Sequence, residues 1–421
     1  MKRLFSILAA TIVALTATAQ NNISVEVSNP LKTDRTDQPV VISLAGYGDV
    51  RSALVTCNGE EVACQLDYLD QDDTYDELCL LVDLKAHEKR RYVVTLYDEG
   101  EPRQYKARVY AEMLMRNDKV KEKNRHDNYI ESITARGDCA NSYNLQHHHG
   151  VDFESELNGI RIYFDKRQTL DLYGKFQKRL ELKETQFYTS AEQKEQGYGD
   201  DVLWVGNTFG LGAFRGWDGK EPTMIDPVRS RTQRIISYGP LRTIVEIVDR
   251  GWQLPATAHS SAEGTAAANS SLFTLHSSLN MTIRYTQYAG HRDTDVDVYF
   301  NRDMSDHLFS TGIINVKDSE EFSDHKGLRA CWGTDYPSTD TGKWSRATVG
   351  LAIYIPQKHI ASEEPANKDN YAFVVKPEGT HMSYKVCYTS ANEQFGYHTA
   401  QEWFDYLKAW RKEVDAPIVV K

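Results

Sequence analysis

The sequence lacks several short motifs by which common enzyme classes are recognised. It contains no Gly-x-Ser-x-Gly elbow, no His-Glu-x-x-His pair, no glycine-rich phosphate loop and no Cys-x-x-Cys pair. The first three absences argue against a serine hydrolase, a zincin-type metal site and a nucleotide-phosphate site. We therefore looked for function in the pattern of charged and aromatic residues rather than in a motif.

Long apolar runs are also scarce, since none after residue 15 is long enough for a membrane helix. The run 4–15 follows a basic start and precedes the small residues Ala17-Thr18-Ala19, which predicts a secretory signal peptide over residues 1–19. No cysteine follows the run, so a lipid anchor is not predicted. We expect a periplasmic or secreted protein that does not insert into a membrane.

Positive charge is outnumbered, with 49 Lys and Arg against 60 Asp and Glu and a net charge of -11. This balance argues against a nucleic-acid partner, although a local basic pocket remains compatible with an acidic substrate. Assembly into a homodimer is left open. The six cysteines are Cys57, Cys64, Cys79, Cys139, Cys331 and Cys387. We interpret them mostly as small buried apolar residues, while Cys57 and Cys64 flank a turn that a disulfide would span.

The chain divides into two predicted β domains. Ile23–Val27 and Val40–Leu44 alternate apolar and polar residues, and more short strands follow, which is typical of a β-sandwich over residues 20–112. Residues 113–128 are charged and predict either a short helix or a linker. Strand patterns continue through residues 129–421, so the expected fold class is mainly β, with a large second domain.

One helix is predicted, over residues 400–414. Thr399 with Glu402 three residues later is a capping box. An apolar stripe at helical spacing follows, formed by Trp403, Leu407, Trp410 and Val414. We expect this helix to pack against the sheet and to carry no chemistry.

The segment from His147 to Lys175 reads HHHGVDFESELNGIRIYFDKRQTLDLYGK. Two parts alternate with a two-residue period, which predicts two strands joined by a hairpin loop at 165–168. If these strands pair, one polar face carries Arg161, Tyr163, Asp171, Tyr173 and Lys175. Such a face beside a histidine loop suits chemistry on an anionic sugar. The simpler interpretation is the solvent-facing side of an antiparallel sheet.

Several interpretations of the acids and histidines stay open. Three adjacent histidines cannot all reach one ion, so no metal site is predicted, and a single histidine such as His148 or His149 is the candidate base or acid. Glu154 and Glu156 are spaced for one strand face and, with Asp171, form an alternative glycosidase pair. The aspartates of a further strand, Asp293, Asp295 and Asp297, suggest either calcium or repulsion relieved by solvent or by nearby arginines such as Arg284, Arg292 and Arg302.

A family resemblance connects these segments. It rests on His148-His149-Gly150, Phe153-Glu154-Ser155-Glu156, Arg161 to Asp165, Asp171 to Lys175, Trp204 to Gly212, Tyr238 to Arg242 and Tyr288 to Phe300. Together they resemble an exported bacterial family long catalogued as a domain of unknown function and associated with polysaccharide utilisation. The Ala- and Ser-rich segment 256–271 is a surface loop insertion relative to this pattern.

The resemblance implies a galactose-mutarotase-like antiparallel β-supersandwich preceded by a small β-sandwich domain. It also implies an activity related to uronate oligosaccharide dehydratases and polysaccharide lyases, with no cofactor. Eliminating across C4 and C5 of a uronate removes a proton next to a carboxylate, so the charge that develops there must be neutralised.

We expect Arg161 to grip that carboxylate and Lys175 to add a second positive contact. His149 or Tyr163 is the expected base, and Tyr163 or a neighbouring histidine such as His148 the expected acid. The substrate-binding set is completed by Glu154, Asp171, Tyr173 and Trp204. Two alternatives remain: a glycoside hydrolase that uses Glu154 or Glu156 with Asp171, and a non-catalytic carbohydrate-binding protein.

Overall fold

Short strands dominate the structure. The computed structural model describes residues 20–70, 72–137, 142–254 and 278–421. The predicted signal peptide, Cys139 and the predicted 256–271 insertion lie outside these residues. All neighbouring strands of the described residues pair antiparallel, so the expected mainly β fold class is confirmed. Within the same ranges, no helix has the length and apolar character needed to cross a membrane.

The first strands form a small sandwich. They are β1 (Gln20–Ser28), β2 (Arg35–Ser43), β3 (Ser52–Cys57), β4 (Glu60–Val62), β5 (Cys64–Asp67), β6 (Glu77–Leu84) and β7 (Lys89–Tyr97). One sheet contains β1, β7, β3 and β4, and the other contains β2, β6 and β5. Alternate residues of both sheets, among them Val27, Val40, Leu80 and Val94, are buried between them, as the two-residue period of a strand requires.

All but the last of the remaining strands build a larger sandwich. They are β8 (Val109–Glu112), β9 (Ser132–Arg136), β10 (Gly150–Ser155), β11 (Gly159–Tyr163), β12 (Leu170–Gly174), β13 (Asp200–Asp201), β14 (Arg215–Trp217), β15 (Pro222–Thr223), β16 (Ser230–Tyr238), β17 (Arg242–Gln253), β18 (Ser278–Tyr288), β19 (Asp293–Phe300), β20 (Phe309–Ile314), β21 (Glu320–Ser323), β22 (Leu328–Asp335), β23 (Ala347–Tyr354), β24 (Ile360–Glu363), β25 (Asn370–Val375) and β26 (His381–Ser390), with β27 (Val419–Val420) after them.

Nine of these strands form one sheet, in the order β21-β22-β23-β26-β19-β18-β17-β16-β9. Two five-stranded sheets, β13-β12-β11-β10-β8 and β15-β14-β20-β25-β24, share one large apolar core with it. Phe153 of β10, Tyr285 of β18 and Phe309 of β20 represent the three sheets in that core. The structure is therefore an antiparallel β-supersandwich preceded by a small β-sandwich.

Two strands lie outside the domains predicted for them. β8 falls within the predicted 20–112 domain, yet it pairs with β10 of the large sandwich, with Glu112 opposite Asp152. β27 pairs with β1 of the small sandwich, with Val420 opposite Val27. Local alternation identifies a strand but does not select its partner far along the chain, which explains both differences. Residues 113–128 contain no helix.

Three α-helices are present in the described residues: α1 (Leu182–Thr185), α2 (Ala191–Glu195) and α3 (Ala400–Asp415). The predicted capping box of α3 is confirmed, because Thr399 Oγ1 accepts from the Glu402 N–H and Glu402 Oε2 accepts from the Thr399 N–H, at 3.2 and 3.1 Å. Trp403 and Leu407 are fully buried against β22 and β23. α3 thus covers the outer face of the nine-stranded sheet.

The cysteines that the structure describes are free thiols, including Cys57 and Cys64. Cys64, Cys79, Cys331 and Cys387 are buried. Burial raises the pKa of Cys79 to about 12, so that thiol stays protonated. These cysteines behave as small apolar residues, as expected.

Candidate functional site

The predicted histidine segment lies in the middle of one five-stranded sheet. β11 pairs with β10 on one side and β12 on the other, so Arg161 lies between Asp152 and Asp171. Side chains alternate along a strand, and Phe153 and Ile160 point into the main core. The opposite face carries the polar side chains Glu112, Asp152, Glu154, Arg161, Tyr163, Asp171 and Tyr173.

This polar face is buried rather than solvated. Arg161 is 2% exposed and Asp171 1% exposed. α1 packs over β8 and β10, and the Phe187 ring that follows α1 lies 4.1 Å from the Arg161 guanidinium carbon. The interpretation of this face as a solvent-facing sheet surface is therefore wrong, because a later segment of the chain covers it.

Arg161, Tyr163, Asp171 and Asp201 form a hydrogen-bonded group, here called the arginine cluster. Arg161 Nη2 donates to Tyr163 Oη at 3.0 Å, to Asp201 Oδ2 at 3.3 Å and, at closer range, to Asp171 Oδ2. The Tyr163 hydroxyl donates to the same Asp171 oxygen at 2.7 Å. Charge-assisted bonds of this kind fix the position of every member.

Burial shifts the acidity of the arginine cluster. Burial raises the pKa of Tyr163 well above its ordinary value, the charge of Arg161 opposes this rise, and Asp171 and Asp201 add to it. The phenol is therefore protonated at neutral pH. Burial also raises the pKa of Asp201, the negative charge of Asp171 adds to this rise, and the positive charge of Arg161 opposes it. Arg161 is the group that would stabilise a Tyr163 phenolate.

The expectation that Arg161 grips a substrate carboxylate is not met. Its side chain is 3% exposed, and its Nη1 donates to Tyr188 Oη at 3.3 Å while Nη2 serves the arginine cluster. A bidentate grip needs a guanidinium edge that a ligand can reach. The structure instead places Arg161 where it holds Tyr163 and Asp171.

Lys175 and Glu154 are fully buried and connect β10 to the start of α1. Lys175 Nζ donates to the Glu154 carboxylate and to the carbonyl oxygens of Ser155 and Arg179, the latter two at 2.7 Å. Glu154 Oε1 accepts from the backbone N–H groups of residues 181 and 182, at the start of α1. The predicted substrate-binding roles of Lys175 and Glu154 are corrected, because solvent does not reach either side chain.

Tyr173 has a structural role as well. It is fully buried, and its hydroxyl lies 3.1 Å from Glu181 Oε2 and 3.1 Å from Thr189 Oγ1. These contacts attach β12 to the segment that covers the sheet. The predicted contact between Tyr173 and substrate is therefore corrected too.

Solvent reaches the site where β11 meets its hairpin loop, in a region here called the rim. The rim consists of His149, Tyr163 and Arg167, together with Trp204, which lies two residues before the Gly206 carbonyl that Arg167 binds. Tyr163 is 9% exposed and Trp204 is 51% exposed, while His149 and Arg167 are half-buried. The ring centroids of His149 and Tyr163 are 6.4 Å apart, and the Arg167 guanidinium carbon lies 4.8 Å from the centre of the Tyr163 ring.

Arg167 is a rim residue that the sequence pattern missed. The pattern places it only within the 165–168 loop and gives it no role. In the structure its Nε and Nη2 donate to Asp165 Oδ2 at 2.8 and 2.6 Å, and its Nη1 donates to the Gly206 carbonyl at 3.3 Å. No local feature of the sequence indicates this role, because Arg167 approaches the Tyr163 ring and the turn after Trp204 only in the folded chain.

A second polar group was also missed. Glu112, His148 and Asp152, here called the buried triad, are all fully or almost fully buried. His148 Nε2 lies 3.7 Å from Glu112 Oε1 and 3.6 Å from Asp152 Oδ2. The predicted role of His148 as a catalytic acid is corrected, because no substrate reaches a side chain with no exposed surface. The strand pairing that brings Glu112 opposite Asp152 could not be read from local alternation.

His147 packs beside the buried triad without joining it. Its ring stacks on His126 with centroids 3.8 Å apart. Burial, followed by the neighbouring histidines, lowers the pKa of His147 to about 2. His147 is therefore neutral and packs as an aromatic ring.

The three aspartates of β19 have side-chain partners. Lys385 Nζ binds both Asp293 and Asp295, and His381 Nε2 lies 2.8 Å from Asp297 Oδ1. Lys385 and His381 thus relieve the repulsion among these aspartates. Two of the arginines suggested from the sequence pair elsewhere, Arg284 with Glu246 and Arg292 with Glu393.

A cavity of about 470 Å³ lies away from the arginine cluster, where the small sandwich, α3 and β19 meet. Charged residues line it, among them Arg35, His291, Asp293, Lys385 and Glu413. Most of these groups already pair with one another or with backbone atoms. We interpret this cavity as part of the junction between the sandwiches, and we place the candidate site at the rim.

Three of the solved structures similar to this chain share little identity with it. A protein of glycosyl hydrolase family 38 from Enterococcus faecalis is 10% identical over 94% of this chain and 47% of its own, with a TM-score of 0.47. An alpha-mannosidase from Enterococcus faecalis V583 is 10% identical over 95% of this chain and 46% of its own, with a TM-score of 0.45. A protein assigned as an aldose 1-epimerase from Klebsiella pneumoniae is 7% identical over 72% of this chain and 95% of its own, with a TM-score of 0.29.

The chain spans about half the length of both Enterococcus proteins. With TM-scores below 0.5, these likenesses do not support an activity. A search of curated protein sequences found no significant match. A family described as "Domain of unknown function (DUF4861)" matches residues 27–420, a span that includes both sandwiches, the arginine cluster and the rim. The chain therefore belongs to the DUF4861 family.

Proposed function

We propose that this protein is a carbohydrate-active carbon–oxygen lyase that acts by β-elimination on a uronic acid residue of an oligosaccharide or polysaccharide. The observation that supports this proposal is the position of the Tyr163 hydroxyl. It lies between Arg161 and Asp171 in the arginine cluster, and the ring reaches the rim beside His149. A dehydratase and a polysaccharide lyase are two forms of this activity, because they differ only in what the departing oxygen carries.

Tyr163 is the proposed acid. Its raised pKa keeps the proton on the phenol at neutral pH, and Arg161 Nη2 already donates to the oxygen on which negative charge would appear. A preorganised donor of this kind stabilises charge as it develops without further reorganisation. Arg161 is then a positioning residue that acts through Tyr163.

His149 is the proposed base. It has a positive φ of 69° directly before Gly150, and this conformation brings its half-buried ring beside Tyr163 at the rim. A base must come within hydrogen-bonding distance of the proton it removes. One sugar residue would present its C5 proton to His149 at the rim and extend its C4 oxygen to the Tyr163 hydroxyl, which lies further in, within the arginine cluster.

Arg167 and Trp204 are proposed to bind the sugar. Arg167 brings a partly exposed positive charge next to Tyr163, where it can offset the charge that grows on the substrate carboxylate. Trp204 presents an exposed aromatic ring with a polar edge, which suits the apolar face of a sugar. These assignments replace Arg161 and Lys175 as the expected carboxylate contacts.

The bond changes balance without water or an oxidant. His149 takes the C5 proton, and the electron pair of that bond forms the C4–C5 double bond. The C4–O4 bond then breaks, and Tyr163 gives its proton to O4. The products are an unsaturated uronate and either water or a shortened glycan. In the next cycle, the proton on His149 must return to Tyr163, directly or through solvent.

The hydrolase alternative finds less support in the site. Both oxygens of Glu154 bind groups inside the protein, and Glu156 pairs with Arg108 and accepts from the Gly290 N–H. A glycosidase needs two carboxyl groups facing one bond of the substrate. A non-catalytic carbohydrate-binding protein requires only the rim, so the experiment must distinguish binding from turnover.

The test is a screen of uronate-containing oligosaccharides, followed by ultraviolet absorbance of the product and by mass spectrometry. Elimination creates a conjugated double bond that absorbs in the ultraviolet, with loss of water or cleavage without water uptake. Cleavage with uptake of water would instead identify a hydrolase. Binding with no change in substrate mass would identify a carbohydrate-binding protein.

The sharpest variant is Tyr163→Phe, which removes only the hydroxyl. Removal of a general acid lowers turnover by roughly 100- to 10,000-fold. Tyr285→Phe is the matched control, because Tyr285 is buried in the main core away from the rim. If Tyr163→Phe folds and retains the turnover of Tyr285→Phe, the proposed mechanism is wrong.

A further inference from the structure

The buried triad leaves an unusual number of polar atoms without partners. Glu112 Oε1, both carboxylate oxygens of Asp152 and both ring nitrogens of His148 are buried and form no hydrogen bond within the described residues. Glu112 Oε2 is the exception, since it accepts from the Tyr110 hydroxyl at 2.6 Å. Buried polar atoms in folded proteins almost always have a partner, so this group points to an occupant.

The spacing of these atoms is that of ligands around one ion. His148 Nε2 is 3.7 Å from Glu112 Oε1 and 3.6 Å from Asp152 Oδ2, which is too long for hydrogen bonds. Tetrahedral ligands at ordinary zinc–nitrogen and zinc–oxygen distances are about 3.4 Å apart. One ligand atom from each residue lies within 4.8 Å of the others, so a single ion can reach all three.

The charge of the group agrees with a cation. If both carboxylates were ionised, two negative charges would lie in the protein interior without solvent. Folded proteins avoid the free-energy cost of such buried charges by pairing them or by binding a metal ion. Arg161 is close but is already shared by Asp171 and Asp201. Protonation would remove the charge, yet it would leave the same oxygen and nitrogen atoms unpartnered.

We infer that Glu112, His148 and Asp152 form a binding site for one divalent first-row metal ion. Glu112 lies on β8 and Asp152 on β10, and His148 directly precedes His149 in the segment before β10. Imidazole nitrogen with carboxylate oxygen suits Zn²⁺ or Mn²⁺, whereas Ca²⁺ takes oxygen ligands only. Because no ligand is exposed, the ion is a structural one that joins β8 to the histidine loop.

The inference does not depend on the proposed elimination. The ion would lie below the rim and contact no substrate, since the buried triad has no surface that solvent reaches. Its readouts are metal content, ligand-field absorbance and melting temperature, none of which requires turnover. A failed activity screen would therefore leave this inference standing, and the reverse is also true.

Two measurements on the full chain test the site. In the first, the chain is purified without chelator and its metal content is measured by mass spectrometry. In the second, it is unfolded with chelator and refolded with Co²⁺ or with chelator alone, because a buried ion exchanges only when the structure opens. We expect about one ion per chain, visible cobalt absorbance that is lost when excess Zn²⁺, but not Ca²⁺, is present during refolding, and a higher melting temperature for the loaded form.

Variants then assign the ion to these residues. Glu112→Gln keeps an acceptor for Tyr110 and changes the shape least, and His148→Gln removes the nitrogen ligand. Each is expected to weaken cobalt binding by roughly tenfold or more, the lower end of what even a supporting residue contributes. His359→Gln, a change to another buried histidine, should bind cobalt as the native chain does.

A native chain that contains no metal, and that shows no cobalt absorbance after refolding to its native circular dichroism, would overturn the inference. So would a folded Glu112→Gln variant with unchanged cobalt affinity. A water molecule would then be the occupant of the buried triad, because it can bridge the same atoms without supplying charge.

Discussion

Lys175 shows how this sheet holds a charge away from water. Its ammonium group has three acceptors, and its partner Glu154 also accepts from the first N–H groups of α1. A pair of this kind contributes little net stability compared with apolar residues, but loss of one partner leaves a buried charge uncompensated. Replacing one partner is therefore expected to lower the free energy of unfolding more than replacing both.

The corresponding prediction concerns Lys175→Met. We expect it to lower the free energy of unfolding by about 3–5 kcal/mol, because the Glu154 carboxylate loses its counter-charge. Lys178→Met, at an exposed position three residues away, should change it by less than about 0.5 kcal/mol. Urea unfolding followed by circular dichroism measures both. A double Glu154→Gln, Lys175→Met variant no more stable than Lys175→Met alone would contradict the argument.

A second residue-scale prediction concerns Tyr285. Its hydroxyl is fully buried and has no hydrogen-bond partner in the part of the chain that the structure describes. Tyr285→Phe is therefore expected to leave the free energy of unfolding unchanged or to raise it by up to about 1 kcal/mol. The comparison is Tyr384→Phe, which removes a 2.7 Å bond to the Gly212 carbonyl and should cost about 1 kcal/mol. Equal losses in both variants would refute this account.

Single residues also show how far the sequence predicts the site. The two-residue period places Arg161, Tyr163 and Asp171 on one face, and the structure has them there. The period does not reveal that Phe187 covers these residues, because no local feature of the segment after α1 indicates which part of the protein it will contact. Accessibility, and with it the division into ligand-binding and structural roles, depended on contacts between distant parts of the chain.

At the scale of elements, α3 is the one that its own residues specify most completely. The capping box satisfies two N–H groups at its start, and the stripe of buried tryptophans matches the 3.6-residue period. β8 and β27 are the opposite case, since each needs a partner strand that lies far away in sequence. The buried triad was missed for the same reason, because one of its ligands belongs to β8.

Thr399→Ala tests the contribution of the cap. We expect it to lower the free energy of unfolding by about 1 kcal/mol, since the first turn of α3 loses the acceptor for its Glu402 N–H. Gln401→Ala changes an exposed residue of the same turn and should remain within about 0.5 kcal/mol of the native value. Thermal and chemical unfolding of both variants give the comparison. A Thr399→Ser variant that fails to restore stability would count against capping as the cause.

At the scale of the whole molecule, polar contacts join the two sandwiches. Arg108, which directly precedes β8 of the large sandwich, binds Asp37 of β2 and also Glu156. His291 lies at the same junction, with Nε2 2.7 Å from the Asp37 carbonyl and Nδ1 3.1 Å from Asp293 Oδ1. Both ring nitrogens face acceptors, and only the protonated imidazole has two donors.

This geometry predicts how stability depends on pH. Burial alone would lower the pKa of His291, but the hydrogen bond and charge of Asp293 outweigh it, so the pKa is raised. A raised histidine pKa contributes stability that is fully present below the unfolded-state value and is lost as pH rises through the folded-state value. Asp293, whose pKa is lowered by Lys385 and His291 against the effect of burial, contributes the reverse: its contribution is present above the unfolded-state value and is lost as pH falls through the folded-state value.

Melting temperature should therefore fall as the pH rises from about 6.5, the ordinary pKa of a histidine, through the raised pKa of His291. His291→Asn removes the titrating group and should flatten this part of the curve. Differential scanning calorimetry of both proteins across that range is the measurement. Parallel curves for the two proteins would show that His291 does not couple pH to the junction.

The pairing of β27 with β1 bears on the order in which this protein is completed during translation. β1 leaves the ribosome well before β27, because the strand that closes its edge follows α3 in the chain. Until then one edge of β1 stays open to other strands, and Arg35 lacks the carbonyl groups of Glu413 and Ala416 that it binds in the finished protein. The sandwich that is synthesised first is thus sealed last, and a chain cut short after α3 would keep a closed large sandwich beside a small one with an edge prone to aggregation.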